Sequence, residues 1–147
     1  KKLALEQVNL IFEDYIMKKF ALFGPPGIGK STVISRLGGI DLETNGETKT
    51  EREHYFRNMS SDYVGFVGAA DISAELAKEH GFKTVLLYLS QEAYDSRRHT
   101  RDVANPVKMD QNRHLVADWV NLINWDYIVR ADGNVIDSLL NLTFEDK

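Results

Sequence analysis

Gly24-Pro25-Pro26-Gly27-Ile28-Gly29-Lys30-Ser31 is the stretch on which the whole chain turns. It matches G-x-x-x-x-G-K-[ST] without a gap. Its glycines let the backbone curl so that successive N–H groups point inward at the oxygens of an anion. A helix beginning near Gly29 adds the positive end of its dipole. Lys30 brings a mobile cation to the β and γ phosphates of a nucleotide, and the Ser31 hydroxyl can ligate magnesium. Thr32, one position further, is expected at the α phosphate. The flanks agree with this expectation. Lys18 to Phe23 reads as a short buried strand that runs into the loop. Val33, Ile34 and Leu37 then mark one apolar helix face, which Gly38-Gly39 stops. A glycine-rich turn by itself would be a weak signal; a strand before it and an amphipathic helix after it make it specific.

The rest of the chain continues the same alternation. Ile40 to Glu43 reads as a brief second strand. The polar stretch 44–61 holds a helix around Glu51 to Asn58, and Tyr63 to Gly68 reads as a third strand. Asp71 or Ser73 would cap a helix that ends at Gly81. Lys83 to Leu89 is the most strand-like run. Ser90 caps a helix through about Asp102, which Asn105-Pro106 breaks. Leu115, Trp119, Leu122 and Ile123 mark an amphipathic helix. Asp126 to Arg130 reads as a last strand, Asp132-Gly133 as a turn, and Ile136, Leu139 and Leu140 as one face of a closing helix. Residues 3–16 mix a strand period (Leu10, Phe12) with a helix period (Val8, Ile11, Phe12, Tyr15), so residues 1–17 are left as an N-terminal extension of open role.

Strands alternating with helices predict an α/β three-layer sandwich around a central parallel sheet of about five strands, joined by right-handed crossovers. Ligands of such sheets bind at the carboxyl ends of the strands, where the octet falls. A chain of 147 residues fits one domain, 1–147, around a single core.

Composition narrows the function. Lys and Arg total 18 against 22 Asp and Glu, a formal charge of −4. That balance does not favour nucleic acid, which needs clustered cations. Cysteine is absent, which excludes disulfides, thiolate catalysis and thiolate zinc sites. No two of His54, His80, His99 and His114 have metal-ligand spacing. No apolar run reaches the roughly 20 residues of a membrane span, and Lys1-Lys2-Leu3-Ala4-Leu5 does not read as a signal peptide. A cytoplasmic protein without membrane contact is expected.

From the octet onward, roughly over residues 18–142, the chain resembles the P-loop NTPases, and among them the small-molecule kinases that include shikimate, gluconate and nucleoside monophosphate kinases. That resemblance implies ATP, or another nucleoside triphosphate, as phosphoryl donor and Mg2+ as cofactor. It places Asp41-Leu42-Glu43 where shikimate kinase has D-x-D, so Asp41 is a candidate magnesium ligand, with Ser31, and a candidate catalytic base. Glu43 is a candidate for the acceptor. Gly68-Ala69-Ala70-Asp71 resembles the family's small-residue turn beside the acceptor, with Asp71 either on the substrate or a helix cap. The resemblance also implies a lid, about residues 91–108, whose Arg97, Arg98 and Arg101 would close over the phosphates. Arg97 and Arg101, four apart, share a helix face. Arg52 and Arg57 lie where shikimate-type kinases keep an acceptor-binding arginine.

The sequence departs from that pattern in ways that leave the acceptor unidentified. The glycine triplet of shikimate kinase is absent, the segment between the second and third strands is short, and no guanylate-kinase or thymidylate-kinase acceptor signature is found. Residues 21–47 also resemble the start of a transporter-type ATPase domain, but that family's LSGGQ-type signature is missing.

The expected activity is transfer of the γ-phosphoryl group to a small acceptor: a nucleoside, a nucleotide or a hydroxylated metabolite. Lys30, Asp41, Arg97 and Arg101 are the catalytic candidates. Gly24 to Thr32 with Arg98 would hold the donor, and Asp41, Glu43, Arg57 and Asp71 the acceptor. Two alternatives remain. One is a kinase acting on a nucleic acid end or modified base, for which Arg97, Arg98, Arg101 and Lys108 would serve. The other is an ATPase or nucleotide-dependent switch. Oligomeric state stays open.

Overall fold

A computed structural model of the chain describes residues 15–17, 19–69, 71–102 and 115–146. In chain order its elements are β1 (Tyr15–Met17), β2 (Phe20–Phe23), α1 (Lys30–Leu37), β3 (Ile40–Asp41), a 3-10 turn (Leu42–Thr44), α2 (Lys49–Met59), β4 (Phe66–Gly68), α3 (Ala74–Glu79), β5 (Lys83–Tyr88), α4 (Gln91–Asp102), α5 (Val116–Val120), β6 (Tyr127–Arg130), α6 (Val135–Thr143) and β7 (Phe144–Asp146).

β2 is apolar and buried at every position. That is what a central parallel strand covered on both faces requires. It pairs on one side with β4 and on the other with β5 in the order β3-β4-β2-β5-β6, and every pairing is parallel. Because side chains alternate across a strand, β2 feeds two cores. Phe20 and Leu22 pack with Ile28, Val33 and Ile34 of the loop and α1, and with Leu139 of α6. Ala21 and Phe23 pack on the opposite face with Phe56 of α2, and with Ile72 and the small residues of α3. The result is the three-layer sandwich with a five-stranded parallel sheet expected from the alternation.

Several element bounds differ from the expectation, each for a local reason. The third strand spans only Phe66–Gly68, because Gly65 before it has φ 135°, which a regular strand cannot hold. The last strand begins at Tyr127. Asp126 instead turns its carboxylate back onto the backbone N–H (2.8 Å) and hydroxyl (3.1 Å) of Thr84. The second strand stops at Asp41, whose side chain caps the 3-10 turn by accepting from the N–H of Glu43. α2 starts earlier, at Lys49, because the Thr48 hydroxyl caps it through the N–H of Glu51. Ser90 caps as expected, accepting from the N–H of Ala93 (3.2 Å), whereas neither Asp71 nor Ser73 caps α3 with its side chain. The helix expected across Leu115 to Ile123 is confined to Val116–Val120. The Trp125 indole N–H takes the Trp119 carbonyl at 2.8 Å, and the chain turns away there, leaving Leu122 61% exposed.

Tyr15–Met17 form a strand paired antiparallel with β7, outside the main sheet. The sequence left the segment of β1 open between strand and helix, and β7 was not expected. No helix among the described residues is long and apolar enough to cross a membrane.

Candidate active site

The loop between β2 and α1 takes its shape from its glycines. Gly27 and Gly29 have φ of 85° and 106°, the left-handed region where a Cβ is strained. Gly24 has no such φ, but a Cβ there would meet Ile28 Cγ2 at 2.9 Å and the Leu87 carbonyl oxygen at 3.2 Å. Ile28, 1% exposed, anchors the loop in the core. The first turn of α1 follows, with the Val33 N–H on the Gly29 carbonyl at 3.1 Å. Lys30 is buried, and its Nζ donates to the carbonyl of Gly24 at 2.7 Å and of Pro25 at 3.4 Å. Ser31 and Thr32 are exposed at the helix start.

The expected partner of Ser31 stands beside it. Ser31 Oγ donates to Asp41 Oδ2 at 2.6 Å. Asp41 Oδ1 accepts from the Glu43 N–H at 3.0 Å. The Asp41 carbonyl accepts from Thr44 Oγ1 (2.9 Å) and Asn45 Nδ2 (2.7 Å), so backbone and carboxylate are both held. Gly68 at the end of β4 faces this carboxylate: a Cβ there would lie 3.9 Å from Asp41 Oδ1.

Ser31 opens onto a cleft of about 590 Å³ that runs from Pro26 to Val33 and is bounded by Arg36, Glu43, Arg97 and the segment Ala131, Asp132, Val135 and Ile136; Asp41 stands behind Ser31 and does not line it. Arg97 Nη1 donates to the Ile28 carbonyl at 2.6 Å and its Nη2 to the Ala131 carbonyl at 3.1 Å. One guanidinium thus joins α4, the loop and the end of β6. One turn earlier on α4, the fully buried Tyr94 donates its hydroxyl to the Pro26 carbonyl at 2.6 Å. Arg98, 8% exposed, does not line the cleft; its Nη1 donates to the Tyr94 hydroxyl at 3.3 Å.

The other expected residues are placed elsewhere. Asp71 pairs with Arg52, whose Nε also donates to the Gly46 carbonyl at 3.0 Å. Arg57 is exposed on α2 and does not line the cleft. Arg101 lies in α4, but its side chain falls outside the described residues, as do lid residues 103–108. The cleft also contains residues the sequence reading did not single out. Ala131 and Asp132 follow the last strand; Asp132 was read only as part of a turn with Gly133 and Ala131 not at all, and their signal was position at a strand's carboxyl end. Tyr94 carried no signal in sequence.

Ser31 Oγ and Asp41 Oδ2 are hard oxygen ligands 2.6 Å apart, hydrogen-bonded to each other, and of the type magnesium takes. No group of three or more His, Cys, Asp or Glu able to hold a metal is found among the described residues. Magnesium does not need one, since it keeps its waters and borrows substrate phosphates.

No family model and no curated protein matches the chain. Solved structures do. A shikimate kinase from Bacteroides thetaiotaomicron superposes with TM-score 0.54 at 19% identity, over 86% of this chain and 95% of that one. A gluconokinase from Sinorhizobium meliloti 1021 superposes with TM-score 0.56 at 14% identity, over 87% of this chain and 94% of that one. At such identities the likeness is one of fold, and the fold is that of the P-loop kinases.

Proposed function

We propose that this chain is a phosphotransferase that moves the γ-phosphoryl group of ATP, or another nucleoside triphosphate, to a hydroxyl of a small acceptor. The observation that carries this is the Ser31–Asp41 contact of 2.6 Å at the mouth of the glycine loop. A phosphate-binding segment alone suits any nucleotide binder. A carboxylate brought from the next strand to the helix start adds what metal-assisted transfer needs.

The geometry supports one set of roles. The amides of Gly24 to Ser31 and the dipole of α1 would hold the phosphates. Lys30, whose Nζ donates to the carbonyls of Gly24 and Pro25, would exchange those acceptors for phosphate oxygens. Magnesium bound by Ser31 and Asp41 would neutralise charge on those oxygens. The acceptor oxygen forms a bond to the γ-phosphorus while the bond to the β–γ bridging oxygen breaks, and the electron pair leaves on the diphosphate. Asp41 Oδ1, on the side of Gly68, takes the hydroxyl proton. Arg97 would brace the donor end of the cleft. The small acceptor is preferred to a nucleic acid end because the formal charge is −4.

The test is phosphate transfer from γ-labelled ATP with magnesium to a panel of nucleosides, nucleoside monophosphates, hydroxy acids, sugars and oligonucleotides, with a water-only control. Label on one acceptor class is expected. Lys30→Ala should lower turnover about 10²–10³-fold, as loss of a preorganised charge does, while leaving the fold intact. Label found only as free phosphate would replace this proposal with an ATPase or switch.

A further inference from the structure

From Pro25 to Gly29 the phosphate loop has few N–H groups to offer an anion. Pro25 and Pro26 have none. The Ile28 N–H turns back onto the Pro25 carbonyl at 3.2 Å. Gly27 and Gly29 remain, and their N–H groups take no backbone carbonyl among the described residues. Both residues line the cleft.

Each of these N–H groups belongs to a peptide whose carbonyl is held from α4. The Tyr94 hydroxyl donates to the Pro26 carbonyl, in the peptide that carries the Gly27 N–H, at 2.6 Å. Arg97 Nη1 donates to the Ile28 carbonyl, in the peptide that carries the Gly29 N–H, also at 2.6 Å. No described peptide bond is cis, and a trans peptide points its N–H opposite to its C=O. Tyr94 is fully buried, so the Pro26 carbonyl faces inward and the Gly27 N–H outward. Glycine leaves both peptides free to flip, so what fixes them must lie outside the loop. The clamp stands on a fixed helix. Ser90 caps its start, and Gln91 Oε1 accepts from the Val116 N–H of α5 at 2.7 Å. Arg98 donates to the Tyr94 hydroxyl, and the Ala131 carbonyl takes the second arm of Arg97.

We propose that Tyr94 and Arg97, one turn apart on α4, are positioning residues. They hold two loop peptides so that the Gly27 and Gly29 N–H groups meet the donor phosphates, and Arg97 acts on the phosphates through the Gly29 amide rather than by its own charge. The inference rests on the donor site of the phosphotransferase above. Both arms of the Arg97 guanidinium reach carbonyls. Moving them to a phosphate would release the Ile28–Gly29 peptide that the phosphate needs.

Inorganic tripolyphosphate reads the loop without a base, an acceptor or turnover. In the wild type it should shift the amide resonances of both Gly27 and Gly29 in a proton–nitrogen correlation spectrum. Arg97→Ala should weaken binding about ten-fold, roughly 1.4 kcal/mol, and abolish the Gly29 shift while keeping that of Gly27. Tyr94→Phe removes no charge, yet should weaken binding by a similar factor and abolish the Gly27 shift. Arg97→Lys keeps the charge without the fork and should behave as Arg97→Ala does. Arg97 is exposed, so its variants decide the matter should Tyr94→Phe not fold. Rescue by lysine, with binding less salt-sensitive in Arg97→Ala than in the wild type, overturns the inference and puts the Arg97 charge on the phosphates. Wild-type affinity and both glycine shifts in Arg97→Ala overturn it as well. Either result leaves the phosphotransferase standing, because transfer from ATP is measured separately. A wild type that binds no tripolyphosphate overturns both.

Discussion

Gly39→Ala tests how tightly fold and site are joined. Gly39 sits between α1 and β3, where the chain passes against β4. Its φ is not positive, so alanine carries no backbone strain there. The obstacle is space alone. A Cβ would lie 2.3 Å from the Phe66 carbonyl oxygen and 3.0 Å from its carbon. Real Cβ contacts essentially never fall under 3.0 Å, so β3 and β4 must separate by at least about 0.7 Å. Both contact atoms are main chain of a buried strand, which has no rotamer to give. Overpacking of this kind costs about 1–3 kcal/mol, or a fall in Tm of roughly 3–10 °C for a domain of this size. The same displacement carries Asp41, two residues on, away from Ser31 and Gly68. A misplacement near 1 Å costs about 10²-fold in rate, so kcat should fall by that order. The assay is thermal unfolding with steady-state phosphotransfer, and Gly133→Ala, with nothing within 4 Å of its Cβ, is the control. If the Gly39 and Gly133 variants match in both Tm and kcat, the close approach of β3 to β4 and its coupling to Asp41 are refuted.

Three further outcomes are expected. Tyr94→Phe removes a buried hydroxyl that serves both the Pro26 carbonyl and Arg98; it should cost about 1–3 kcal/mol and raise KM for the nucleotide more than it lowers kcat, and kinetics identical to wild type would deny the loop its brace. Thr48→Ala removes the N-cap of α2 and should cost about 1 kcal/mol, seen as a Tm lower by roughly 2–4 °C with turnover unaffected. Burial raises the pKa of the Tyr63 phenol above its ordinary 10.0, and its hydroxyl donates to the Phe66 carbonyl, a bond that only the protonated phenol makes. The folded chain therefore keeps that proton to higher pH than the unfolded chain. Its contribution is full below pH 10 and is lost as pH rises through the raised value, so the urea midpoint should fall more steeply above pH 10 in the wild type than in Tyr63→Phe; parallel declines would remove Tyr63 as the cause.

Local features were legible where their cause was local. The octet encodes its own curl through Gly27 and Gly29, and the apolar run before it could only be a buried strand. Ser90 capped as expected because a cap needs only a neighbour three residues away. Misreadings arose where a distant partner competed. Asp71 or Ser73 was expected to cap α3 with its side chain; neither does, and the Asp71 carboxylate is held by Arg52, 19 residues away. The last strand was read from Asp126, whose carboxylate is taken by Thr84, 42 residues away. The helix after Val116 was drawn too long because its periodicity could not show that Trp125 would claim the Trp119 carbonyl.

The sequence by itself determined the glycine loop and the α/β alternation, because each follows from residue types a few positions apart along the chain; Asp41 was placed near Ser31 only by the resemblance to the small-molecule kinases. Tertiary structure alone decided what closes around that loop. Arg97 reaches the Ile28 carbonyl across 69 residues and Tyr94 the Pro26 carbonyl across 68. Trp119, Trp125 and Phe23 meet in one cavity from separate elements. Such meetings depend on strand order, which places β2 between β4 and β5; no periodicity or propensity within a segment carries that information.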